Sequence, residues 1–255
     1  MSPTETNVNA GVEKIAPLKN VRLFIELMDK MQHRKLHLPG LAVFYGFSGL
    51  GKSQSAINAA NKYNAAYVEC GQSWNPTTLV DAIFHEITGH RVKGTVAFKV
   101  AEIIEGLADG QRPLIIDESD YLVKRAMIDL VREISDRSGS AVILIGEEQM
   151  PIRLQAFERA HNRVLYWQPA MPASMEDARS LAKLYVPQLD IKDDLLKHIT
   201  STTDGVTRRL VANLERVREF AATRNLQVVD LAAWGDTTVY TGMPTPRNAR
   251  RSMGK

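Results

Sequence analysis

A single cysteine, Cys70, occurs in 255 residues, so no disulfide can form within the chain, and this usage fits a reducing compartment. It is expected as a small core residue at the end of a strand. No apolar run reaches the roughly 18 residues that suggest a membrane helix, and Met1 to Ala10 has neither the basic start nor the apolar centre of a secretion signal. A cytoplasmic protein without a membrane partner is therefore expected. Repeats and long low-complexity tracts are absent too, which argues against a solenoid or a fibrous chain. Charge is not one-sided either: 32 Lys and Arg stand against 29 Asp and Glu, a net charge of +3, too little alone to indicate a polyanionic partner.

What is present describes an ordinary globular protein, 44% hydrophobic and 24% charged, long enough for one large domain or a core with a small appendage. The most specific stretch is Gly46-Phe47-Ser48-Gly49-Leu50-Gly51-Lys52-Ser53, which satisfies the phosphate-loop pattern G-x-x-x-x-G-K-[ST] at every fixed position. Its flanks also fit. Leu41 to Tyr45 reads as a buried strand, and Lys52 to about Tyr63 as a helix with Ile57 and Ala60 on one face. Glycines let backbone N–H groups and the helix N-terminus converge on a phosphate, Lys52 adds a point charge, and the Ser53 hydroxyl suits Mg²⁺.

Upstream, residues 1–18 lack periodicity and read as a flexible leader, followed by a helix with Val21, Phe24, Ile25, Met28 and Met31 on its apolar stripe. Downstream, Ala65 to Cys70 reads as a second strand, and Asn75-Pro76 as the cap and first position of a helix through Leu79, Ile83 and Ile87. The basic segment His90-Arg91-Val92-Lys93 joins it to a helix bearing Val96, Val100, Ile103, Ile104 and Leu107. Pro113 to Asp117 is then an apolar strand ending in Asp117-Glu118. About 65 residues after Lys52, such a pair suits a water-mediated hold on Mg²⁺ by Asp117 and orientation of an attacking water by Glu118.

A helix from Tyr121 to Arg137 and a strand from Ala141 to Gly146 follow, and then acids, Glu147-Glu148, at the strand's tip. Pro151 to Arg163 reads as a short helix, with Arg153, Arg159 and Arg163 as its cations, and Val164 to Trp167 as a fifth strand. Alternation of strand and helix predicts a three-layer α/β sandwich. The change of domain is placed near Pro169 to Pro172, which gives a core over 19–170, a helical subdomain over 171–240 and a basic tail over 241–255. Ser174 and Asp177 form an approximate capping box. Gly205 to Leu210 opens a long helix with Arg208-Arg209 in its first turn, where the helix dipole disfavours cations and a bound phosphate would offset the cost.

This order of features resembles the AAA+ ATPases over about residues 20 to 224: a phosphate loop, a strand ending in Asp-Glu, a further strand, arginines before the fifth strand, and Gly-x-x-Arg at a helix start. Leu114-Ile115-Ile116-Asp117-Glu118 with Ser119-Asp120, the Ile143-Leu144-Ile145-Gly146 strand and Phe157 to Arg163 look like the transposition regulators, the group of phage Mu transposition protein B, TnsC and TniB. The resemblance implies an α/β phosphate-loop core with a small C-terminal helical lid, ATP and Mg²⁺ as cofactors, and slow, assembly-stimulated hydrolysis. It assigns ATP to Gly46, Ser48, Gly49, Leu50, Gly51, Lys52, Ser53, Gln54 and Arg208, and Mg²⁺ to Ser53 and Asp117. Glu118 would serve the hydrolytic water and Arg208 would be the sensor 2 arginine. Arg163, with Arg159 as second choice, would be the finger that reaches a neighbour's ATP.

Its implied partners are double-stranded DNA, a transposase and further copies of the chain, in a helical filament or ring. Arg91, Lys93 and Lys99, near the loop after the second strand, are the DNA-contact candidates. Two departures stand out. The usual polar sensor 1 residue is missing at Gly146-Glu147, and no room exists before residue 20 for the extra DNA-binding domain of phage Mu protein B. The alternative expectation is a helicase loader or remodelling factor acting mainly on protein.

Overall fold

The computed structural model describes residues 18–91 and 93–243. Except for Leu18, the expected leader lies outside them, as does the tail beyond Met243 with its arginines. The architecture is an α/β sandwich built on five strands: β1 (Leu41–Tyr45), β2 (Ala66–Glu69), β3 (Leu114–Asp117), β4 (Val142–Gly146) and β5 (Val164–Pro169). They pair in the order β2-β3-β4-β1-β5, and every pairing is parallel. Strands β1, β3 and β4 are apolar almost throughout because both of their faces are covered.

Alternate residues divide the core in two. Ala42, Phe44, Ile115, Ile143 and Ile145 pack against α1 (Lys19–Gln32) and α2 (Lys52–Tyr63). Leu41, Val43, Leu114, Ile116, Val142 and Leu144 face α3 (Pro76–Thr88), α4 (Val96–Gly110), α5 (Asp120–Lys124) and α6 (Ile128–Ser138). Helices α7 (Met150–Leu154) and α8 (Glu158–His161) lead into β5. A third cluster joins α9 (Met175–Tyr185), the short paired strands β6 (Asp190–Ile191) and β7 (Val228–Val229), α10 (Asp193–Thr202), α11 (Thr207–Arg224) and α12 (Leu231–Trp234).

Caps explain several boundaries. Asn75 Oδ1 accepts the Thr78 N–H at 3.0 Å with Pro76 at the first position of α3, and Thr95 caps α4 through the Phe98 N–H at 3.2 Å. Ser174 and Asp177 complete a reciprocal capping box on α9. Cys70 is buried just beyond β2.

Three expectations need correction. The single helix over Tyr121 to Arg137 is two, because Ala126 turns through a left-handed φ of 52° between α5 and α6. Pro151 to Arg163 likewise divides into α7 and α8. On α2 the buried face is Ser55, Ala56, Ala59 and Ala60, while Ile57 is exposed.

Candidate functional site: a cleft over the carboxyl ends of the strands

In a parallel sheet all carboxyl ends lie on one edge, and that edge is where ligands of open α/β folds bind. Here the loop after β1, the Asp117-Glu118 exit from β3 and the Gly146-Glu147 exit from β4 share a cleft of about 600 Å³. Thr207 and Arg208 at the start of α11 line it too. Of the proposed ATP ligands, Ser48 through Gln54 and Arg208 line this cleft, and Gly46 sits at its base beside Gly146, whose carbonyl accepts the Gly46 N–H at 3.3 Å.

The loop is held from three sides. Lys52 Nζ donates to the Gly46 and Phe47 carbonyls at 2.7 and 2.9 Å, so the ammonium bridges the loop it projects from. Burial lowers the Lys52 pKa, while Asp117, Glu118, Asp120 and Glu147 act in the opposite direction. Gly49 has φ of 84°, and a Cβ there would approach Val206 to 2.9 Å, so only glycine suits this contact. Its carbonyl accepts the Arg208 N–H at 3.0 Å. Helix α11 has no side-chain cap of its own, so the phosphate loop satisfies one of its orphan donors.

Asn20 supplies the third hold. Buried at 5% exposure, it donates to the Leu50 and Met171 carbonyls at 2.8 Å each and accepts the Met171 N–H at 2.8 Å. Helix α1 also lacks a local side-chain cap. Asp177 of α9 accepts the Lys19 N–H at 2.7 Å while its other oxygen takes the Ser174 N–H at 2.8 Å. Thus α1, the phosphate loop and α9 are tied together by two buried polar side chains. Sequence reading missed both roles, and the one available signal was the absence of a cap before Lys19.

At the acidic wall, Glu118 has a left-handed φ of 51°, a conformation costing a non-glycine residue about 1–3 kcal/mol. Ser119 pins it by donating its N–H and hydroxyl to the Ile145 carbonyl at 2.8 and 2.7 Å. Asp117 Oδ1 accepts the Glu118 N–H at 2.8 Å and Oδ2 the Tyr67 hydroxyl at 2.9 Å. Burial, followed by Asp117, raises the Glu118 pKa above the usual carboxylate range, with Lys52 opposing. Tyr67 is pushed far upward by burial and by Asp117, so it remains a protonated donor.

Glu147 directly follows β4, at the strand tip where the resemblance implies a polar sensor 1 residue. Its N–H donates to Asp120 Oδ2 at 2.6 Å, and Arg153 bridges Asp120 Oδ1 at 2.7 Å and Glu147 Oε2 at 3.1 Å. A Cβ on Gly146 would meet Asp120 Oδ2 at 2.8 Å, so the glycine permits this approach. Arg153 is therefore engaged by the acids around the strand tip.

Other candidates lie elsewhere. The Arg163 carbonyl accepts the Leu41 N–H at 3.2 Å, at the opposite edge of the sheet from the phosphate loop, and its Nε lies 3.1 Å from Asp136 Oδ1. Arg159 is exposed on α8. Arg91 and Lys93 are exposed between α3 and α4. Lys99 corrects an expectation: it is 7% exposed and paired with Asp81 at 2.5 Å, so it packs α4 against α3 and presents no free charge to DNA.

Cleft and topology together agree with the comparisons. Residues 34–154 match the family described as AAA domain. The chain has the α/β fold of AAA+ phosphate-loop proteins. The match takes in the phosphate loop, Asp117-Glu118 and Arg153, and stops before Arg159, Arg163 and Arg208. No curated protein matches the chain. Solved structures with a similar fold include Cdc6p from Pyrobaculum aerophilum, at TM-score 0.59 and 17% identity over 87% of this chain and 66% of that one. The Aeropyrum pernix ORC1 protein, solved in complex with DNA, gives 0.57 and 19% over 84% and 62%. The Thermotoga maritima RuvB Holliday junction branch migration motor gives 0.56 and 16% over 84% and 66%. This chain thus spans about two thirds of each, and at these identities what it shares with them is the fold.

Proposed function

We propose that this protein is an ATP-dependent, DNA-binding AAA+ ATPase that assembles on duplex DNA and delivers target DNA to a transposase. The observation that carries the nucleotide reading is the single cleft joining the phosphate loop, Asp117-Glu118 and Arg208. Its donor set suits ATP with Mg²⁺. Mg²⁺ is usually held by phosphates and water with one or two protein oxygens, which Ser53 and Asp117 would provide, and when bound it neutralises charge developing on the phosphates. Glu118, strained toward the cleft and with a raised pKa, is suited to accept a proton from the attacking water.

Charge argues for assembly. Within one chain, Lys52 is influenced by four carboxylates, Asp117, Glu118, Asp120 and Glu147, so a polyphosphate entering here needs cations beyond that lysine. Arg208 is one. Arg163 or Arg159, both outside the cleft of their own chain, is proposed to reach a neighbour's nucleotide, which would make turnover depend on contact between copies. For DNA, the exposed Arg91 and Lys93 are the proposed contacts, and the A. pernix ORC1 protein shows this fold in complex with DNA. The transposase assignment rests on the resemblance of Ser119-Asp120, the β4 strand and Phe157 to Arg163 to the transposition regulators.

Imaging the purified protein with duplex DNA tests the proposal. Continuous assemblies with a slowly hydrolysed ATP analogue, absent with ADP, are expected. Affinity should fall with salt at a slope near 0.9 per phosphate contact, and replacing Arg91 or Lys93 by Ala should lower that slope by about one each. No ATP-dependent binding to DNA at low salt would overturn the DNA reading and favour a loader acting on protein. Mixing Arg163→Ala with Glu118→Gln chains should restore part of the ATPase activity at mixed interfaces, whereas no recovery at any ratio would exclude Arg163 as a trans group.

A further inference from the structure

We propose that Tyr67 is a positioning residue for Asp117, its hydroxyl fixing from behind the carboxylate that faces the nucleotide's divalent cation. The inference rests on the nucleotide reading above and concerns a residue that no phosphate-loop motif contains.

Register creates the contact. Strands β2 and β3 run parallel with Tyr67 opposite Ile115 and Glu69 opposite Asp117. Tyr67, Ile115 and Asp117 consequently share a face of the sheet, the one covered by α1 and α2. Tyr67 and Asp117 are diagonal neighbours, about 7–8 Å apart at the backbone, a span that an aromatic side chain can bridge. The tyrosine hydroxyl does so, ending 2.9 Å from Asp117 Oδ2.

The approach is from outside the nucleotide cleft. Tyr67 does not line that cleft; it lines a second cavity of about 380 Å³ with Asn61, Asn64, Glu86 and Arg112, beside α2. Its hydrogen bond to the site is through Asp117. With Glu118 N–H on Oδ1 and Tyr67 O–H on Oδ2, both carboxylate oxygens are anchored, and each keeps further acceptor capacity for water around a cation. Removing the hydroxyl frees one side of the carboxylate to rotate. Partners behind a metal ligand typically matter 10–100-fold in metal affinity. Because Asp117 is proposed to act through water, a loss of roughly 3–10-fold is expected.

The test uses the full chain and a fluorescent ADP analogue, titrated first with chelator present and then with Mg²⁺, alongside thermal unfolding with ADP in the same two conditions. In Tyr67→Phe, affinity without Mg²⁺ should stay within about 2-fold of the unsubstituted protein, because a metal-free site does not use the outer partner. Half-saturation by Mg²⁺ should rise roughly 3–10-fold, and the Mg²⁺-dependent part of the thermal stabilisation should shrink. Tyr67→Met, whose flexible chain fills the ring's space differently, should behave alike and serves if the phenylalanine variant does not fold. Asn61→Ala, lining the same cavity, should leave the Mg²⁺ titration unchanged. A Mg²⁺ titration of Tyr67→Phe that superimposes on that of the unsubstituted protein would overturn the inference. So would an equal weakening with and without Mg²⁺, the mark of a merely structural role. Absence of nucleotide binding by the unsubstituted protein would instead remove the reading beneath it.

Discussion

The two ends of the cleft are built by different means. At the phosphate end, one contiguous loop, a helix start and two strand exits present backbone groups and charges, all from the strands' carboxyl edge. At the other end, Leu18 just before α1, Val21 from its first turn, Leu181, Leu184 and Tyr185 from α9, and Val211 from α11 supply an apolar wall. The first is centred on one contiguous run, Ser48 to Gln54, to which distant strand ends add; the second has no such run and is assembled from segments 193 residues apart, from position 18 to position 211. Charge placement tolerates little substitution, whereas an apolar wall tolerates changes of shape with graded losses. The phosphate end should therefore fail abruptly and the apolar end gradually.

Lys52→Ala probes the first half of that contrast. Losing a charged donor to phosphate should weaken ATP binding roughly 10–100-fold, read by calorimetry, and an effect below about 3-fold would deny the lysine its role. Asn20→Ala attacks the joint between the ends. It leaves the Leu50 and Met171 carbonyls and the Met171 N–H without their partner, at about 2–4 kcal/mol. Melting should drop by roughly 6–12 °C, and an unchanged melting temperature would show that the clamp does not matter. Val211→Ala trims only the apolar wall. About 1 kcal/mol of lost burial should weaken ATP and ADP equally, by roughly 5-fold; a loss specific to ATP would place Val211 near the terminal phosphate.

The smallest expected effect concerns pH. The folded-state pKa of Glu118 lies above its ordinary value, so the native chain binds the proton more tightly than the unfolded chain does. Stability from that proton is present below the ordinary pKa and is lost as pH rises through the raised one. Glu118→Gln, which has no such proton, should gain in melting temperature relative to the parent as pH climbs from 4 toward neutrality, in the absence of nucleotide. A constant difference across that range would contradict the raised pKa. If Glu118 is the general base proposed above, the same upward shift should raise the acidic limb of the pH profile of hydrolysis.

The same contrast sorts what can be read from sequence. Gly46 to Ser53 and Asp117-Glu118 are short runs whose chemistry is stated by residue type and spacing, and Asn75-Pro76 and Ser174 announce their helices locally. The sandwich follows from alternating apolar strands and amphipathic helices. What escaped is what depends on register and distant partners. Nothing around Leu18 or Val206 caps a helix, and the caps come from Asp177 and from the Gly49 carbonyl. Lys99 reads as a surface cation until Asp81 on the neighbouring helix is seen to pair with it. Tyr67 reads as one strand residue among several, because its tie to Asp117 exists only once β2 and β3 are aligned. The break at Ala126 has no signal in residue type, since alanine seldom adopts a positive φ.

One measurement reaches the central claim most directly: ATP binding and single-turnover hydrolysis compared in the parent and in Glu118→Gln, with Mg²⁺ and duplex DNA present. The account predicts near-equal affinity and at least a roughly 100-fold slower hydrolysis in the variant, the scale of a lost general base. Equal rates of hydrolysis would contradict it.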